Sequence, residues 1–356
     1  MKISFFPQSC VPYHANSLDE GPLGGTETGI IRLAQALHQR GHTVTVYTSD
    51  QNPPPSNPPY LPIRAVQSMQ PVDVFVVVRE WIPLVYQIPC RKRFFLTGDA
   101  YDQPHNLGIG DLRVAARIDG VLLQSEWHAA TLCKSSGLPR EKVYIIRNGV
   151  YLPFFEGAEE RKRKRLIYSS TPYRGLEHLP RLYAEIKKRH PDAELHIFSG
   201  YDVYGKPSGS NTAMENRLQL LKEQLLKLPH VYFEGNVTQQ RLAREFMKSA
   251  VLAYPNTFAE TSCITAMEAQ AAGCVPVSTA LGGLPETVGD GGVLISGRPG
   301  TPEYDQQFVE AIDRIFSDDA YFEALSKRAW ERGRALGWDG VAERFEKYLR
   351  EVHSVV

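Results

Sequence analysis

A chain of 356 residues is long enough for two domains at roughly 150 residues each. Forty Lys and Arg balance forty Asp and Glu, so the formal charge is zero and no chain-wide basic field marks a nucleic-acid binder. With 42% hydrophobic residues the chain is too apolar for disorder, and no run approaches the roughly 18 consecutive apolar residues of a membrane span.

The segment Met1-Lys2-Ile3-Ser4-Phe5-Phe6-Pro7 meets a proline too early to be a signal-peptide core, so neither secretion nor membrane spanning is expected. Cys10, Cys90, Cys133, Cys263 and Cys274 form no C-x-x-C pair, which argues against a disulfide framework and a zinc site and fits a reducing cytoplasm.

Residues 2–6 read as a buried strand. After them Gly21-Pro22-Leu23-Gly24-Gly25-Thr26-Glu27-Thr28-Gly29 opens a helix with Ile30, Leu33, Ala34 and Leu37 on its apolar face and Gly41 at its end. A glycine-rich helix N-terminus suits an anion, because unpaired N–H groups and the helix dipole both face outward. A dinucleotide fingerprint would need G-x-G-x-x-G directly after the strand and an acid, here Asp50, closing the next one. The glycine spacing is wrong for that, and residues 7–23 separate strand from glycines; the bland alternative is a loop that lets helix pack on sheet. Further strands are expected at 43–48, 72–78, 94–97, 121–124 and 143–147, with an extended proline-dense loop at 51–59.

Residues 151–165 show no periodicity and end in Glu159-Glu160-Arg161-Lys162-Arg163-Lys164-Arg165, so the interdomain linker is expected there. The basic run reads as a solvated linker, with peripheral contact to an anionic membrane surface as the alternative. Strand-type runs restart at 166–170, 194–198, 231–234, 250–254, 275–279 and 292–295. Short apolar runs alternating with helix-length amphipathic stretches give an α/β chain of two Rossmann-like domains, each a parallel sheet covered by helices. The expected division is 1–155, 156–336 and a final helix at 337–356, whose apolar side carries Val341, Phe345, Tyr348 and Leu349.

The strongest signal runs from Tyr254 to Gly273. It follows a strand and is expected to enter a helix near Thr261 or Ser262, with Glu260 on the loop before it and Glu268 within it. A nucleoside diphosphate sugar fits that order: pyrophosphate on the helix N-terminus, sugar towards Glu260, ribose diol on Glu268. Glu268 lies among Ala266, Met267, Ala269, Ala271 and Ala272, so it reads as buried and requires a partner.

With these residues in view, the chain resembles the retaining glycosyltransferases of family 4, whose GT-B fold has two facing Rossmann-like domains and a C-terminal helix that crosses back to the first. The resemblance rests on Glu260 and Glu268 in a Glu-x7-Glu element, on Ala271-Ala272-Gly273, and on Gly282-Gly283-Leu284-Pro285-Glu286. It also draws on Gly24-Gly25-Thr26-Glu27, Gln124-Ser125-Glu126-Trp127-His128 and Arg147-Asn148-Gly149-Val150. It implies a donor side in the second domain and an acceptor side in the first. Glu260 would contact the transferred sugar, Glu268 the ribose, and the N–H groups of Thr261, Ser262, Cys263 and Ile264 the distal phosphate.

The family's basic pair on the diphosphate is represented only by Arg174, since Ser169-Ser170 stand where the first member would be. Ser170, Gly24 and Gly25 are further donor-side candidates; Asp99, His128 and Glu27 are acceptor-side candidates, with a packed or capping histidine as the alternative for His128. Asp99 stands where many relatives carry a histidine. The expected activity is transfer of a sugar from a nucleotide donor, a UDP-sugar in the first instance, to a sugar, lipid or other small acceptor. No Asp-x-Asp pair or His/Cys cluster offers a divalent-metal site, so no metal or other cofactor is expected. A nucleotide-sugar epimerase or hydrolase, or a non-catalytic sugar-nucleotide-binding subunit, are the alternatives.

Overall fold

A computed structural model of the chain describes residues 1–204 and 212–353. The chain divides into two compact units: the first comprises Met1–Leu18, Gly24–Gly149 and Trp338–Val356, the second Asp19–Leu23 and Val150–Gly337.

The first unit is built on seven parallel strands, β1 (Lys2–Pro7), β2 (Thr43–Thr48), β3 (Tyr60–Pro62), β4 (Val72–Val78), β5 (Cys90–Leu96), β6 (Gly120–Leu123) and β7 (Val143–Ile145). Their order, β3-β2-β1-β4-β5-β6-β7, reverses direction at β1 and β4. Val74, Phe75, Val76 and Val77 are wholly buried, as a central strand covered on both faces must be. The short edge strand β3, which follows the expected proline-dense loop and was not itself expected, ends in Pro62, a residue tolerated where no further strand pairs. β5 starts earlier than its apolar core because it pairs with β4 from Val72 and Cys90 onward, and the Asp119 carboxylate accepts from Lys92 Nζ at 3.2 Å and from the Arg93 N–H at 2.7 Å.

The final helix, Trp338–His353, packs within this first unit. The Phe345 ring lies 6.4 Å from Phe5 and 6.3 Å from Phe94, and Tyr348 Oη donates to the Ile145 carbonyl at 2.9 Å. Arg40 grips Glu346 with two bonds of 3.0 and 2.9 Å. Gly149 has a packing reason: a Cβ there would fall 2.8 Å from the Trp338 ring.

The second unit carries six parallel strands, β8 (Lys162–Ser169), β9 (Glu194–Phe198), β10 (Val231–Phe233), β11 (Ser249–Tyr254), β12 (Val275–Thr279) and β13 (Val293–Ile295), ordered β10-β9-β8-β11-β12-β13. Its direction reverses between β8 and β11, and ligands of open parallel sheets sit at the carboxyl ends beside such a reversal.

The linker expectation is corrected here. Tyr151 to Arg165 belongs to the second unit, and Phe155 is buried in its core. From Lys162 on, the basic run is the first half of the central strand, and four of its cations pair with carboxylates distant in sequence. Lys162 meets Glu194 at 3.1 Å, Arg163 meets Asp319 at 2.8 Å, Lys164 meets Asp192 at 2.9 Å, and Arg165 is bonded to Glu245. Arg161 donates to the Gly273 carbonyl at 2.7 Å and also bonds Ala272. Cations engaged in this way do not form a solvated linker or a patch for anionic lipid. Among the described residues no helix is long and apolar enough to cross a membrane.

Candidate functional site

β8 delivers Ser169 to the carboxyl edge of the second sheet, and the chain turns through Ser170, Thr171, Pro172, Tyr173 and Arg174, closed by the Arg174 N–H on the Thr171 carbonyl at 3.1 Å. Gly175 follows with φ +99°, and a Cβ there would lie 2.0 Å from the Pro255 carbonyl oxygen. Only glycine allows this contact between the two loops. It places Arg174 against the loop that leaves β11.

That loop is shaped from within. Asn256 is wholly buried and its Oδ1 accepts the Phe258 N–H at 2.9 Å, an Asx turn that leads the chain into Glu260. The Gly282-Gly283 turn holds Glu260 from the other side. The Gly283 N–H donates to the Glu260 carbonyl at 2.6 Å, and Gly282, at φ +65°, sits where a Cβ would be 2.6 Å from that same oxygen. Thus the Gly-Gly-x-Pro-Glu turn fixes the first signature glutamate.

The Glu260 side chain is 6% exposed and carries the site's charge. Its Oε1 accepts from Arg174 Nη1 at 2.8 Å and from Tyr254 Oη at 2.7 Å. The Arg174 guanidinium lies 4.4 Å from the centre of the Phe258 ring, so a cation–π contact flattens it over the loop. Ser170 Oγ stands 3.3 Å from Tyr254 Oη, which links the Ser170 hydroxyl to the same carboxylate.

The helix begins later than the sequence suggested: it spans Ile264–Ala271, with Cys263 at the N-cap and no side-chain cap bond. Thr261 and Ser262 form the bend before it, because the Gly282-Gly283 turn keeps the preceding backbone out of helical register. The N–H groups that point out of this N-terminus therefore start at Ile264, and the expected span of Thr261 to Ile264 moves towards the helix. Burial and the neighbouring Glu260 charge push the Cys263 thiol up, so it stays a neutral packing group. Glu268, on the same helix, is buried and accepts from Gln239 Nε2 at 3.1 Å, the partner that its burial required.

Two contributors were not anticipated. Tyr254 ends an all-buried strand and reads as core, although a tyrosine closing a strand beside the signature was a usable signal. Gln239, at the start of the helix Gln239–Lys248, has no marker in the sequence.

The first unit holds the remaining candidates. Gly24 is the N-cap of the helix Gly25–Gln39, and neither Gly24 nor Gly25 adopts a positive φ. Glu27 is buried on that helix and accepts the Val11 N–H at 3.3 Å. Asp99 is buried and accepts from Arg79 Nε at 3.2 Å; Arg79, with φ +73°, also donates to the Ser9 carbonyl at 2.8 Å. His128 is corrected to a structural residue: it is wholly buried, its Nε2–H donates to the Asp99 carbonyl at 2.9 Å, and Nδ1 accepts the Gln124 N–H at 3.4 Å. Burial lowers its pKa to about 4, so the ring is neutral and neither nitrogen is left for an acceptor. Among the described residues no group of three or more His, Cys, Asp or Glu could hold a metal ion.

A family model described as glycosyl transferases group 1 matches residues 154–333, which fall within the second unit. The D-inositol 3-phosphate glycosyltransferase of Streptomyces griseus is 34% identical over 301 residues, which cover 75% of this chain and 62% of that protein. Its counterpart from Streptomyces avermitilis is 30% identical over 250 residues, covering 66% and 52%. The chain thus spans between half and two thirds of the length of these curated relatives. Sucrose-phosphate synthase of Thermosynechococcus elongatus shares the fold with a TM-score of 0.74 over 100% of both chains at 19% identity. Anabaena HepE in complex with UDP-glucose does so with a TM-score of 0.72 over 99% of this chain and 100% of that one at 16% identity.

Proposed function

The chain belongs to the group 1 glycosyl transferases and has the GT-B fold, and on that premise we propose that it is a retaining, metal-independent glycosyltransferase that uses a UDP-sugar. The observation that carries this reading is the 2.8 Å pairing of Arg174 with Glu260 beside a helix N-terminus whose N-cap residue, Cys263, makes no side-chain cap bond. A diphosphate seated on that N-terminus meets Arg174, its sugar meets Glu260, and the ribose diol donates to Glu268 further along the same helix.

As the glycosidic bond breaks, its electron pair leaves with the diphosphate and positive charge grows at the anomeric carbon. Arg174 and the helix N–H groups stabilise the first charge, Glu260 the second. The acceptor hydroxyl attacks from the face the diphosphate leaves, and its proton passes to the departing phosphate oxygen. Glu260 Oε1 accepts two hydrogen bonds, one from a cation, which spreads its charge and suits it to electrostatic stabilisation over nucleophilic attack. The relatives are named for D-inositol 3-phosphate, so phosphorylated cyclitols are the first acceptors to try, with Asp99 and Glu27 as acceptor-side candidates in the first unit.

The test is incubation of the purified chain, in excess EDTA, with UDP-sugars and a panel of cyclitol, sugar and lipid acceptors, followed by NMR of the early product. Transfer with the donor's anomeric configuration kept supports the proposal. An inverted product, or activity restored only by manganese or magnesium, overturns the retaining or metal-free part. Release of free sugar at the same rate without acceptor would make the chain a hydrolase.

A further inference from the structure

The Tyr254 hydroxyl donates to Glu260 Oε1 beside Arg174. The other donor, Arg174, is a quarter exposed, sits on a loop and is the group that a diphosphate would attract. Resting on the glycosyltransferase reading, we infer that Tyr254 is a positioning residue: it holds the Glu260 carboxylate in place when Arg174 turns to the diphosphate.

The physical basis is the difference in how the two donors are anchored. Tyr254 is wholly buried at the end of β11, between β8 and β12. Its backbone carbonyl accepts from Ser278 Oγ at 2.7 Å, and its ring lies against that of Tyr168 at 5.8 Å and 62°. The hydroxyl is therefore placed by the sheet core, and a group held by the core keeps its position while loops rearrange. Burial, reinforced by the Glu260 charge, keeps the phenol far above its ordinary pKa, so the proton stays on Tyr254.

The direction of each bond follows from the chemistry. A carboxylate only accepts, so the single tyrosine proton points to Glu260 Oε1; Ser170, whose Oγ is 3.3 Å from Tyr254 Oη, must then donate to the tyrosine oxygen. The chain Ser170 to Tyr254 to Glu260 polarises in one sense. Both donors converge on Oε1, so in this reading a sugar hydroxyl meets Oε2.

Tyr254→Phe removes one oxygen and keeps the ring, so packing is preserved. The expected result is a ten- to hundredfold loss of kcat, with UDP affinity within twofold of wild type and melting temperature nearly unchanged. Because Tyr254 acts only through Glu260, the Tyr254→Phe/Glu260→Gln double variant should be no slower than Glu260→Gln alone. Additive losses, or wild-type turnover in Tyr254→Phe, overturn the inference. A binding readout separates this from failure of the transfer reading. Calorimetry compares UDP with the UDP-sugar that most raises the wild-type melting temperature, and Tyr254→Phe should lose the extra affinity that the sugar confers. If wild type binds that sugar and never transfers it, the transfer reading falls while the binding comparison still judges Tyr254; an unchanged increment in the variant overturns its role.

Discussion

On the proposed reading, a single guanidinium at Arg174 balances the Glu260 carboxylate at rest and a diphosphate when donor is bound, and that double duty sets the cost of its removal. Arg174→Ala leaves Glu260 without its cation as well as depriving the phosphates of theirs. UDP affinity should fall about tenfold or more, on the scale of hydrogen bonds to charged groups, and kcat by on the order of 10²-fold; titration with UDP and steady-state kinetics read both. Glu268→Ala should behave differently, since a ribose contact made equally in ground and transition states raises the donor KM and leaves kcat nearly intact. Gln239 would then face an emptied position, which argues for testing Glu268→Gln beside it. Arg174, Glu260 and Glu268 stood out as candidates in the sequence because charged residues at fixed spacing contrast with glycine turns and a small-residue helix. Tyr254 was hidden by its own burial, and Gln239 by lying 29 positions from its partner.

Elements differ in how much of their cause lies nearby. The turn that carries Arg174 has a remote cause, since Gly175 is required by the Pro255 carbonyl oxygen 2.0 Å from where a Cβ would sit. Gly175→Ala should push the two loops apart and misplace Arg174, lowering kcat by on the order of 10²-fold as misplaced groups do, while circular dichroism shows the fold retained. The start of β8 was misread for a related reason: five cations in a row look solvated until Glu194, Asp319, Asp192 and Glu245 meet four of them and the Gly273 and Ala272 carbonyls meet Arg161.

The final helix offers a pH test. Hydrogen bonds from Arg40, then from His42, hold the Glu346 carboxyl down at about 2 against an ordinary 4.5. A depressed carboxylate contributes stability that is complete above the unfolded value and is lost as pH falls through the folded one. Glu346→Gln should lower the melting temperature of the first unit by about 3 °C at pH 7, taking roughly 1 kcal/mol for a partly exposed pair. That gap should close between about pH 4.5 and pH 2 in thermal scans of variant and wild type.

For the whole molecule, the doubled α/β pattern was readable because parallel strands buried on both faces leave near-continuous apolar runs. The sheet orders and their reversal points were not readable, since they depend on which strands pair. The second unit gathers Arg174, Tyr254, Glu260, Glu268 and the helix N-terminus at one reversal, and the family match covers the same unit. The account stands on Glu260 serving the sugar and not the nucleotide. The direct measurement is Glu260→Gln, with turnover of a UDP-sugar and binding of UDP determined on the same preparation. Loss of one electrostatic stabiliser should lower kcat by about 10²-fold or more, with UDP affinity nearly that of wild type. Full turnover in Glu260→Gln, or a loss of UDP affinity as large as that of Arg174→Ala, would contradict the account.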